Sequence, residues 1–123
     1  MVPEKLVQSI LFQIAFTLKY LHAKNIFHRN IKMENFFIKS LNQEIILFLS
    51  GFCCSENVTG YGQLGGQVQI GTRHYMSPEM MDRTVSTHYS IDIWSLGVLI
   101  YYLCNNKVEL FSFLLIIKNK LIY

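Results

Sequence analysis

The sequence is poor in charge. Only 15% of its 123 residues are Asp, Glu, Lys or Arg, against 51% hydrophobic. That balance excludes a disordered chain, which needs much charge and little apolar surface. Eleven Lys and Arg against eight Asp and Glu leave +3, too thin and too scattered a surplus for the basic face that nucleic acid requires. Cysteine is also scarce. Cys53 and Cys54 are adjacent, Cys104 stands alone, and there is no C-x-x-C pair. Neither a disulfide framework nor a zinc site follows, and a reducing compartment is expected. Long apolar runs are missing as well. Ile91 to Cys104 is broken by Asp92 and Ser95, and Leu110 to Ile117 has eight residues with Ser112 among them. A membrane span takes about 20, so none is expected. The opening MVPEKLVQSI places Pro3 and Glu4 where a secretory signal needs a basic start. No signal peptide is read there, and a cytoplasmic or nuclear location is expected. The sequon Asn57-Val58-Thr59 is then a chance pattern.

What is present is apolar material for one small domain. Leu6, Ile10, Ile14, Leu18 and Leu21 fall on one stripe, which predicts a helix over residues 4–23, with Val7, Leu11 and Phe12 widening the stripe. Pro3 is tolerated at such a start, and Asn25 is suited to a left-handed stop. Short apolar pieces at Asn25–Phe27, Phe36–Lys39 and Glu44–Leu49 suit short strands. Residues 50–72 hold six of the seven glycines and little periodicity, which reads as a loop. A second strong helix is predicted from about Ser90 to Leu103. Residues 105–123 mix Asn, Lys and bulky apolar side chains without a clear period.

Three strings stand in order along this framework: His28-Arg29-Asn30-Ile31-Lys32-Met33-Glu34-Asn35, then Gly71-Thr72-Arg73-His74-Tyr75-Met76-Ser77-Pro78-Glu79, then Ile91-Asp92-Ile93-Trp94-Ser95-Leu96-Gly97-Val98. Together they resemble the C-terminal lobe of a eukaryotic protein kinase. The first is similar to the catalytic loop H-R-D-L-x-x-x-N, the second ends in a variant of A-P-E, and the third looks like the buried helix that follows. Lys32, two residues after the catalytic position, is the Ser/Thr-kinase form. The resemblance covers residues 1–104 as a partial kinase domain and leaves 105–123 as an unmatched tail. It implies an α+β fold, mainly α: an incomplete kinase-like C-terminal lobe without the small lobe or the late helices. The Gly-rich phosphate loop, the strand Lys and its Glu partner are not found in these residues.

The resemblance also implies roles, and two of them are impaired. Asn30 stands where the family carries the Asp that accepts the substrate hydroxyl's proton, and an amide has no basic lone pair usable at neutral pH. Leu49, in Glu44-Ile45-Ile46-Leu47-Phe48-Leu49-Ser50-Gly51-Phe52, stands where D-F-G carries its Mg²⁺-binding Asp, and a hard cation wants carboxylate oxygen. Of that triplet Gly51 remains. Lys32 would sit beside the transferred phosphate. Asn35 would either hold a second Mg²⁺ through its side-chain oxygen or brace the loop. Thr72 resembles the Thr that ties the substrate-binding loop to the catalytic loop. His28, Arg29, Thr72, Glu79 and Asp92 are structural positions: Asp92 is expected to accept backbone N–H bonds from the His28–Arg29 turn, and Glu79 to lack the later Arg it pairs with in relatives. Thr59 and Tyr61 are read as part of an unmodified loop; were either phosphorylated, the resemblance implies Arg29 as the phosphate's partner. Gly60-Tyr61-Gly62-Gln63-Leu64-Gly65 satisfies G-x-G-x-x-G, yet it lies after the catalytic loop and is read as a flexible loop. Cys53 and Cys54 show no basic neighbour in sequence and are read as unreactive.

ATP and Mg²⁺ are thus the family's cofactors, with weak or absent binding expected in this chain. The leading expectation is a pseudokinase-like module acting through protein partners, with self-association through exposed apolar surface. Two alternatives are a working Ser/Thr kinase, if these residues sit in a longer chain, and a truncated product without function.

Overall fold

The computed structural model describes residues 3–41, 44–57, 70–81 and 88–105. Helix α1 runs Glu4–Ala23, as the apolar stripe predicts. Pro3 lies just before it, and its carbonyl accepts from Leu6 and Val7 N–H at 2.9 and 3.1 Å. Asn25, at φ 57°, ends it in the left-handed region. Val7, Ile10, Ile14, Leu18 and Leu21 are the buried face.

The predicted widening of that face holds at Val7 and fails at Leu11 and Phe12. Leu11 and Phe12 are exposed, Phe12 at 71%, and Phe12 stacks on Phe16 at 6.4 Å on the outside of the helix. At 100° per residue, Phe12, Phe16 and Tyr20 form a second i, i+4, i+8 row about 200° from the row through Ile14.

Strands β1 (Ile26–Phe27), β2 (Phe36–Leu41), β3 (Glu44–Leu49) and β4 (Glu56–Asn57) make two antiparallel pairs. The β2–β3 hairpin is in register from Phe36↔Leu49 to Leu41↔Glu44. In the other pair, Ile26 faces Asn57 and Phe27 faces Glu56. Residues 50–57 are therefore not the plain loop expected of them. They hold a 3₁₀ turn, Phe52–Cys54, and then β4. Further 3₁₀ turns lie at Met33–Asn35 and Arg73–Tyr75, followed by the short helix α2, Pro78–Met81.

Helix α3, Ser90–Cys104, completes the core. Its Leu96, Leu99 and Leu103 pack with Ile10, Ile14 and Leu18 of α1, with Ile31 and Met33, and with Phe36 and Ile38 of β2. It is buried on one side only: Ile93, Trp94 and Tyr101 are about half exposed. Gln13 joins α1 to the hairpin, its Nε2 donating to Ile45 O at 2.8 Å and its Oε1 accepting from Leu47 N at 2.9 Å. One side chain thus occupies the donor and the acceptor that a further strand would use on β3. Among the described residues, no helix is long and apolar enough to cross a membrane. The Gly60–Gly65 string, Thr59, Tyr61 and residues 106–123 of the tail lie outside the described residues.

Candidate functional site

The segment 28–35 leaves β1 and enters β2, and α3 fixes its start. Asp92 is fully buried in the first turn of α3. Its Oδ2 accepts from His28 N at 2.9 Å and its Oδ1 from Arg29 N at 2.8 Å. A third donor is His22, whose Nε2 lies 2.8 Å from Asp92 Oδ2. A buried carboxylate demands such partners, and these three tie the end of α1 and the loop to α3. Arg29 takes the left-handed φ of 62° at this point, a conformation costly for a residue with a Cβ.

His28 is fully buried and sits edge-on to Phe52 at 4.9 Å. Its Nε2 lies 2.8 Å from Ser50 O, and its Nδ1 accepts from Asn30 N at 3.3 Å. Those roles suit a neutral ring with the proton on Nε2. Burial lowers its pKa from 6.5, opposed by the Ser50 bond and the Asp92 charge.

Asn30 and Asn35 meet. Asn35 Nδ2 donates to Asn30 O at 2.8 Å, and Asn35 O accepts from Ser50 N and Ser50 Oγ at 2.8 and 2.9 Å. Thr72 Oγ1 donates to Asn30 Oδ1 at 3.1 Å. Two glycines make this closeness possible. A Cβ on Gly51 (φ 79°) would lie 2.6 Å from Asn35 Cγ, and one on Gly71 (φ 112°) would lie 2.7 Å from Arg29 O. Lys32 is half-buried at the start of the Met33–Asn35 turn. Glu79 is half-buried in α2 and makes no ion pair with another described residue.

Arg29 is engaged within the chain. Its guanidinium donates through Nε to Cys54 O and through NH1 to Glu56 Oε2, both at 2.6 Å. Cys54 in turn feels the positive charges of Arg29 and Lys32, which corrects the reading that no base is near. Burial still outweighs them and, with the neighbouring Cys53 thiol, pushes the Cys54 thiol up.

Leu49 ends β3 opposite Phe36 and packs against the core. Around Asn35 stand Asn30, whose amide oxygen already accepts from Thr72, and the Ser50 hydroxyl, which donates to Asn35 O. No cluster of three or more His, Cys, Asp or Glu side chains suited to a metal gathers among the described residues. This donor set does not fit Mg²⁺, which takes carboxylate oxygen.

The protein kinase domain model matches residues 1–113. The chain belongs to the protein kinase family. Among its relatives, mouse serine/threonine-protein kinase Nek4 is 33% identical over 107 residues, 87% of this chain and 13% of the relative. Arabidopsis thaliana CDPK-related kinase 4 is 36% identical over 106 residues, 85% of this chain and 17% of the relative. Xenopus laevis serine/threonine-protein kinase ULK3 is 37% identical over 101 residues, 80% and 20%. The chain thus spans a fifth or less of the length of these kinases.

Sequence reasoning missed three residues of this kinase-family site: His22, Ser50 and Glu56. No local signal marks them, since their partners stand 70, 22 and 27 residues away.

Proposed function

We propose that this chain is a catalytically impaired kinase-like module that acts by binding a protein partner. The observation that carries this reading is Leu49. At the position aligned with the family's metal-binding Asp, the structure has a leucine turned onto the hydrophobic core, and no described carboxylate stands in for it. Asn30 weakens the chemistry further. It presents an amide oxygen to Thr72, and loss of a general base costs typically ~10²–10⁴ in rate. Asn35 then serves as a brace, holding Asn30 and Ser50 together rather than a cation. His28, Arg29, Thr72 and Asp92 keep the loop in shape, and Lys32 remains beside it without a phosphate to meet. The module works in the cytoplasm or nucleus.

The test is a titration of the chain with Mg-ATP, followed by calorimetry and thermal shift. No Mg²⁺-dependent saturation is expected up to millimolar concentration. Saturable binding that needs Mg²⁺ would overturn the reading and restore the family's phosphoryl-transfer activity as the better account.

A further inference from the structure

Cys53 and Cys54 occupy the 3₁₀ turn that follows left-handed Gly51. Their sulfurs are 3.8 Å apart, with Cys53 exposed and Cys54 half-buried beneath it. The same turn carries the carbonyl that holds Arg29: Cys54 O accepts from Arg29 Nε at 2.6 Å, while the other arm of the guanidinium reaches Glu56. Two thiols in contact on one turn, one open to solvent, are thus joined through one carbonyl to the catalytic loop.

We propose that Cys53 and Cys54 form a vicinal dithiol site, reversibly oxidised by small-molecule disulfides, whose closure releases Arg29 from the Cys54 carbonyl. Exposed Cys53 acts first. Its thiolate attacks the small disulfide, forming a mixed disulfide and expelling one thiolate. Cys54 then gives its proton to solvent and attacks the Cys53 sulfur, expelling the second thiol. Two protein S–H bonds are lost, one S–S bond forms, and the oxidant leaves as two thiols. Adjacency makes the second step intramolecular and therefore fast.

The product is a strained ring. Neighbouring Cα atoms are ~3.8 Å apart across a trans peptide, whereas disulfides usually span ~4.4–6.8 Å. Closing the ring therefore turns the backbone dihedrals of both cysteines, and the Cys54 carbonyl turns with them. Strained bridges are easily reduced, so a mild dithiol reverses the change.

The test uses the pre-reduced 123-residue chain with oxidised glutathione, read by intact mass and peptide mapping. The expected product has lost two hydrogens, retains no glutathione, and carries its link between Cys53 and Cys54. Cys53→Ser and Cys54→Ser should instead keep glutathione as a stable adduct, while Cys104→Ser should behave as the native chain does. In the oxidised chain, amide exchange at Ile26, Phe27, Glu56 and Asn57 should speed up roughly tenfold or more, the factor expected when a charge-assisted hydrogen bond is lost, and should return with dithiothreitol. A stable glutathione adduct on the native chain, a link to Cys104, or failure to oxidise would overturn the site. Unchanged exchange in the oxidised chain would overturn the release of Arg29.

Discussion

Asp92 holds two backbone N–H groups and an imidazole while wholly shielded from water. Asp92→Ala strands the buried donors of His28 and Arg29, and should cost about 3–5 kcal/mol in urea unfolding. Asp92→Asn should cost less, because one of its two positions remains an acceptor. Acid and alkali act on different residues. His28 has its folded pKa below the 6.5 of the unfolded chain, so its contribution is present above that value and falls away as acid protonates the ring. Tyr75 is pushed up to about 12 from 10.0, by burial first and then by the negative charge of Glu34. Its contribution is present below 10 and is lost as pH rises through about 12. A melting-temperature profile should therefore fall on the acid side, through His28, and on the alkaline side, where the raised Cys54 thiol adds to Tyr75, so Tyr75→Phe should reduce the alkaline fall. Restoring both carboxylates is a sharper case. Asn30→Asp with Leu49→Asp should give no phosphoryl transfer above that of the native chain, because these residues include no Gly-rich loop or strand Lys to clamp the phosphates, and that electrostatic clamp is usually the largest catalytic factor. Leu49→Asp should also lower the melting temperature, since it turns a carboxylate onto the core. Radiolabelled phosphate on a generic Ser/Thr substrate reads the outcome. Incorporation above the native background, lost again on Lys32→Ala, would refute it.

Gln13 makes an element-scale link, standing in for a neighbouring strand along β3. Gln13→Ala should cost about 1–3 kcal/mol and raise amide exchange at Leu47 while leaving α1 helical by circular dichroism. The elements themselves were unequally legible. α1 and α3 announced themselves through apolar spacing, and β3 through its apolar run. β4 did not, because Glu56-Asn57 is too short and too polar to alternate. It forms because Gly51 turns the chain back and Arg29 grips Glu56. Phe12 was misplaced for a related reason: a count of apolar residues at helical spacing cannot separate the Ile10–Ile14–Leu18 row from the Phe12–Phe16–Tyr20 row on another face. The site divided likewise. His28, Asp92 and Thr72 stand in motif strings, whereas His22 and Glu56 acquire partners only through folding.

Across the whole molecule, the apolar surface left in water stands out. Phe12 and Phe16 are 71% and 66% exposed on α1, and Ile93, Trp94 and Tyr101 are about half exposed on α3. Patches of this kind drive association. Sedimentation velocity on the isolated chain should show self-association, reduced by Phe12→Lys with Phe16→Lys at little cost to the melting temperature. A monodisperse monomer in the native chain would contradict this. The anchoring of the loop also has a consequence for synthesis. The carboxylate that seats His28 N lies 64 residues further along the chain. At ~5–20 residues per second, a ribosome needs roughly 3–13 s to add that stretch. For that interval the nascent loop has no Asp92 to dock on, and the face of α1 that packs against Leu96, Leu99 and Leu103 has no α3 to cover it.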